Sequence, residues 1–159
     1  MSAQHLLIPY KGIDDIRFGM TLEQVTQVLG TPDQVRHEDI VNLTFAQYGA
    51  SEFKFDDDTG TLIAILVYKP GRGKAIREQL GKVPYVPVFH DEIEILDKDG
   101  FELLCEREQT TEGIGNTGVL FPKLGFLVTG FRKRVPEGRY LIAFPQERLK
   151  YYEELWLNV

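Results

Sequence analysis

The feature that most constrains this chain is an internal repeat. Ile8-Pro9-Tyr10 returns as Val83-Pro84-Tyr85, an offset of 75, and Phe45-Ala46-Gln47-Tyr48-Gly49 returns as Phe121-Pro122-Lys123-Leu124-Gly125, an offset of 76. Phe55 returns as Phe131. Each copy also carries a helix signal. In the first, Thr21 is an N-cap with Gln24 three residues on, as a capping box requires, and Met20 and Val25 take the two positions of a hydrophobic staple. Gly30 and Pro32 then stop the helix. In the second, the matching reading makes Asp91 the N-cap, Glu94 the third residue, Ile95 the fourth and Gly100 the stop, at an offset of 70. In both copies a turn then leads into an apolar strand: Asp56-Asp57-Asp58-Thr59-Gly60 before 62–68, and Val135-Pro136-Glu137-Gly138 before 140–144. Self-similarity of this kind predicts two copies of one supersecondary unit, with insertions and deletions confined to loops.

Each unit reads as a helix followed by an antiparallel meander. The expectation is an α+β fold of two tandem helix-plus-antiparallel-sheet units forming one continuous sheet with helices on one face. Unit one spans 1–72 and unit two 73–146. Residues 147–159 form a C-terminal amphipathic helix, with Leu149, Tyr152 and Trp156 on one stripe. A further helix is expected over 74–80, where Ile76 and Leu80 recur at i, i+4. Strand alternation sends Phe53 and Phe55 inward and Glu52 and Lys54 outward, and likewise Phe131 inward and Arg132 outward. The same reading puts Cys105 on an apolar strand within 101–105.

The segment Gly19-Met20-Thr21-Leu22-Glu23-Gln24-Val25, closed by Leu29-Gly30-Thr31-Pro32, resembles the helix motif of the small outer-membrane-assembly lipoproteins of the SmpA/OmlA type. The tandem layout is similar to the β-lactamase-inhibitory-protein-like tandem-repeat fold. The close match covers about a dozen residues, and the second copy lacks the Gly-Met-Thr lead and the closing proline. The chain also lacks the disulfides of the one group and the anchoring cysteine of the other. The resemblance implies a fold and a habit of binding proteins. It carries over no binding residue, because the matched motif is a cap and a turn.

Composition narrows the function classes. The chain has 159 residues and a net charge of −6, divided evenly as −3 in 1–80 and −3 in 81–159. Nucleic-acid binding needs a basic face, so none is expected. Cys105 is the single cysteine, which excludes an internal disulfide framework and a multi-cysteine zinc site. No apolar window reaches the length of a membrane span, and the opening residues do not read as a secretory signal, so a cytoplasmic protein is expected.

Motifs that would signal chemistry fail on context. Gly113-Ile114-Gly115-Asn116-Thr117-Gly118 matches a dinucleotide fingerprint, but Pro122 and Gly125 follow where a helix must begin, so it reads as a loop. Gly71-Arg72-Gly73-Lys74 lacks both the first glycine and the hydroxyl residue of a phosphate loop. The aspartates at 56–58 lack the distal ligands of a calcium loop. His5, His37 and His90 fall in separate segments. Cys105 has no neighbouring base to activate it.

No metal and no cofactor is expected. With no acid, base and nucleophile set visible, the sequence reads as a non-enzymatic protein-binding module, an inhibitor or immunity-type protein. Its partner would be another protein, held on the open face of the sheet. Strand parity and the residue types that anchor interfaces select Tyr48, Tyr68, Arg132, Arg134 and Tyr140, flanked by Glu52 and Lys54. The competing reading is a small enzyme or ligand-binding protein whose site gathers residues distant in sequence, with Glu52, Asp57 and His90 as candidates.

Overall fold

The computed structural model describes residues 4–70, 85–110, 118–131 and 138–157. The expected helix over 74–80, Val83 and Pro84, the glycine motifs at 71–74 and 113–117, and Arg132 and Arg134 lie outside them.

In chain order the strands are β1 (His5–Ile8), β2 (Gly12–Ile13), β3 (Ile16–Arg17), β4 (Gln34–Glu38), β5 (Leu43–Tyr48), β6 (Ser51–Asp56), β7 (Thr61–Pro70), β8 (Val88–His90), β9 (Ile93–Glu94), β10 (Gly118–Phe121), β11 (Phe126–Thr129) and β12 (Gly138–Ala143). The helices are α1 (Leu22–Leu29), α2 (Lys98–Glu108) and α3 (Leu149–Leu157), the last preceded by a 3-10 turn over Gln146–Arg148. The fold is α+β and mostly sheet.

The expected single sheet is instead two. The meanders join through β7 and β12 into a seven-stranded antiparallel sheet in the order β10-β11-β12-β7-β6-β5-β4. The short strands form a second sheet, β3-β2-β1-β8-β9, in which β1 and β8 run parallel. Leu7, Ile13, Ile16 and Val88 of this small sheet need burial, and they find it in the main core, not at an edge of the large sheet. Helices also lie on both faces. Val25 of α1 and Phe101 and Leu104 of α2 join the main core with Phe53, Phe55, Phe121, Val128 and Leu141. The α3 stripe departs from the expected side. Tyr152 and Leu149 cover Leu120, Leu127 and Ile142, the apolar residues that β10, β11 and β12 turn to the other face.

The first helix follows its sequence signal. Thr21 Oγ1 accepts from Gln24 N at 3.2 Å, and Gln24 Oε1 accepts from Thr21 N at 2.9 Å. Gly30 ends the helix at φ 86°. The second copy does not. Asp91 is no cap: with Glu92 it forms the two-residue turn between β8 and β9, both at positive φ, where Asp14 occupies the matching turn between β2 and β3. Short polar residues tolerate that conformation, and Ile95 and Leu96 go into the core where the expected helix would have run. The helix starts six residues later, behind Asp97, whose carboxylate accepts from Gly100 N. Gly100 is a close-approach residue in the first turn, since a Cβ there would lie 2.0 Å from Glu94 O. Cys105 consequently sits on α2, half-buried, and not on a strand.

The aromatic landmarks divide similarly. Phe55 is buried in the main core. Phe131 is only half-buried, stacked on Phe101 with ring centroids 4.0 Å apart and with the Arg139 guanidinium 4.2 Å from its centroid. Phe45 and Phe121 share neither a hairpin position nor a face: Phe121 is in the last pair before its turn, whereas Phe45 is three pairs back from the Gly49-Ala50 turn. Phe121 pairs with Phe126 in the core, whereas Phe45 pairs with Lys54 on the outer side.

Candidate functional site

The outer face of the large sheet is built in rows by strand register. One row runs Arg36, Phe45, Lys54, Ala64 across β4 to β7. The next runs Gln34, Gln47, Glu52, Leu66, Ile142, Leu127. A third pairs Tyr68 with Tyr140 and Tyr140 with Thr129. α3 covers the β10–β12 end, and together with Arg148 it also borders Leu43, Lys54 and Ile63 of β5 to β7.

Four of the expected site residues meet here. Glu52, Lys54, Tyr68 and Tyr140 share the outer face, all half-buried. Tyr48 does not join them. It is opposite in parity to Phe45 and Gln47 on β5, packs edge-on against Phe53 at 5.5 Å, and donates its hydroxyl to Gly30 O at 2.8 Å. It ties the end of α1 to the sheet. Arg132 and Arg134 lie outside the described residues.

Charge on this face is paired loosely over apolar ground. The Arg36 guanidinium stands 4.6 Å from the centroid of Phe45 and reaches Glu38 at 3.1 Å and Glu52 at 3.7 Å. Burial raises the Glu52 carboxyl above the usual range, and Arg36 offsets part of that. Burial lowers the Lys54 ammonium, reinforced by Arg148. Burial, then the nearby Glu52 charge, pushes the Tyr68 phenol up to about 12. Beside Tyr140, Thr129 Oγ1 is buried without a hydrogen-bond partner among the described residues. Phe45, Leu66 and Arg36 belong to this face and are not among the residues that the sequence singles out for the site. For the two apolar residues, their parity with Lys54 and Glu52 was the available signal.

The residues named for an assembled enzyme site stay apart. Glu52 is mid-strand on β6. Asp57, in the turn after β6, accepts from Thr44 Oγ1 at 2.6 Å and has His37 Nδ1 2.9 Å away. His90 is buried at the end of β8, beside Asp91 at 3.5 Å. Among the described residues, no group of three or more His, Cys, Asp or Glu is arranged to hold a metal ion. Among them, too, no helix is long and apolar enough to cross a membrane.

No family model, curated protein or solved structure matches the chain.

Proposed function

We propose that this chain is a non-enzymatic protein-binding module, an inhibitor or immunity-type protein, that takes its partner on the outer face of the large sheet. The observation that carries the reading is the outer face of β6, β7 and β12 away from the cleft with α3. There Tyr68 and Tyr140 stand side by side, flanked by Phe45, Leu66, Glu52, Lys54 and Arg36. Tyrosine and arginine over an apolar base, with charges at the margin, is the composition of an interface hot spot.

The tandem reading belongs to the same proposal: two units, 1–72 and 73–146, of the kind that the SmpA/OmlA and β-lactamase-inhibitory-protein-like resemblance implies. Its support is a common offset of 76 linking Thr21 to Asp97 as helix caps and Gly49 to Gly125 at hairpin turns, both glycines at positive φ. The large sheet also runs outward from β7 and β12, the last strands of the two meanders. A lone cysteine suits a reducing compartment, so we place the partner in the cytoplasm.

The test is affinity capture from the source cells, with wild type and Tyr68→Ala/Tyr140→Ala side by side, both shown to be folded. A protein retained in stoichiometric amount by wild type and lost with the double variant is the expected result. Equal retention by both contradicts the assignment of this face.

A further inference from the structure

The outer face continues past Lys54 into a cleft between the sheet and α3. Val41, Leu43, Lys54, Ile63, Arg148 and Tyr151 line it, and its volume is about 230 Å³. Two properties define what fits. The first is charge. Arg148 Nη2 lies 3.4 Å from Asp56, which compensates one cation. Lys54 is half-buried, and among the described residues no carboxylate comes within ion-pair distance of it. Glu38 and Glu52 act on the Lys54 charge from beyond that distance, so the cleft holds a cation with no direct ion pair among the described residues, in a chain of net charge −6. A partly desolvated cation of this kind gains most from a carboxylate that arrives with a bound partner.

The second is the surround. Ile40, at the tip of the β4–β5 hairpin, is fully exposed at 100%, and Val41 beside it is exposed at 54%. On α3, Tyr151 and Leu155 are also exposed, one turn apart. Large exposed apolar side chains thus cluster on the two elements that flank the cleft. Pockets that enclose a small molecule run to roughly 300–1,000 Å³. This cleft is smaller and its apolar ground lies outside it, which is the form of a protein interface with one central anchor pocket.

We infer that the cleft seats an acidic side chain of a protein partner, held by Lys54 and Arg148, while apolar residues beside that acid pack on Ile40, Val41, Tyr151 and Leu155. This rests on the protein-binding reading above and names the chemistry of the partner's anchor.

A random-peptide display library, selected on the full wild-type chain, tests it. The expected result is enrichment of peptides with an Asp or Glu flanked by apolar residues. A synthetic copy of such a peptide should weaken at least tenfold against Lys54→Gln, against Tyr151→Ala, and when its own acid is changed to the amide. Tyr151 is exposed, so that variant stays informative if Lys54→Gln fails to fold. No enrichment, peptides without an acid, or binding indifferent to Lys54 and Tyr151 overturns the proposal. Peptides that depend on Tyr68 and Tyr140 alone also overturn it, while leaving the sheet-face reading standing. Dependence on Lys54 and Tyr151 with none on Tyr68 and Tyr140 supports it and counts against the tyrosine pair. Saturable binding of octanoate with no peptide selected would assign the cleft to a small carboxylate and overturn the proposal.

Discussion

Tyr68 of β7 and Tyr140 of β12 face each other across the junction of the two meanders, their ring centroids 5.5 Å apart and the rings tilted by 39°. The pair marks the point where two runs of chain far apart in sequence become one surface. It lies outside the core that Phe53, Ile65, Val67 and Leu141 make on the opposite side of the same strands. Its place on the solvent side is why the account of function is centred on it.

The burial of Tyr68 has a consequence for pH. The Tyr68 phenol is held up to about 12 against an ordinary value of 10.0, and Tyr152, buried between α3 and the sheet, is likewise pushed up to about 12. The fold therefore favours the neutral phenols. That stability is fully present below pH 10 and is lost as pH rises toward about 12, because the unfolded chain releases protons there that the folded chain keeps. Denaturant titrations at stepped pH should show a falling midpoint over that window. Tyr68→Phe should flatten part of the fall, and an unchanged profile in that variant would contradict the burial of the hydroxyl.

Removing the cap at Thr21 should cost about 1 kcal/mol, since Thr21→Ala takes away the Oγ1 that accepts from Gln24 N and leaves only the bond from the residue-21 N–H to Gln24 Oε1. Asp97→Ala should cost a similar amount at α2, and Asp91→Ala should not act as a cap removal. Chemical denaturation of the three variants checks the corrected helix start.

Gly100→Ala should destabilise although alanine favours helices. The added Cβ would meet the Glu94 carbonyl oxygen at 2.0 Å, so the β9 strand or the first turn of α2 must move. Overpacking of this kind costs roughly 1–3 kcal/mol. A stabilised Gly100→Ala variant would show that the turn and α2 do not approach this closely.

Phe55→Ala and Phe131→Ala should differ. Phe55 is fully enclosed, and its truncation should cost about 3–5 kcal/mol. Phe131 is half-buried and held mainly by Phe101 and Arg139, so its truncation should cost less. Equal losses, measured by urea unfolding, would contradict the asymmetry between the two positions.

Much of the structure of residues 4–70 was legible in the sequence because its signals are local. Thr21, Gln24 and Gly30 act within one helix, and the alternation of Glu52, Phe53, Lys54 and Phe55 acts within one strand. The chain from residue 85 on was harder to read because its signals are tertiary. Asp91 looks like a cap until the turn that it makes with Glu92 is known, and Gly100 looks like a stop until the backbone of Glu94 is seen against it. The two-sheet arrangement depends on β1 pairing with β8, more than eighty residues away, which no local pattern announces. Of the site, Glu52, Lys54, Tyr68 and Tyr140 follow from parity, whereas Tyr48 fails because Phe45 and Gln47, not it, share the parity of the outer face. The cleft under α3 depends on which face that helix chooses, decided by Leu120, Leu127 and Ile142 on three other strands.

The affinity of the captured partner for Tyr140→Ala, set against wild type with the fold of both confirmed, tests the central claim most directly. An anchor at the centre of the interface predicts a loss of about 2 kcal/mol or more, roughly thirtyfold in Kd. Unchanged affinity for Tyr140→Ala, repeated for Tyr68→Ala and Glu52→Ala, would place the interface elsewhere on the molecule and contradict the account.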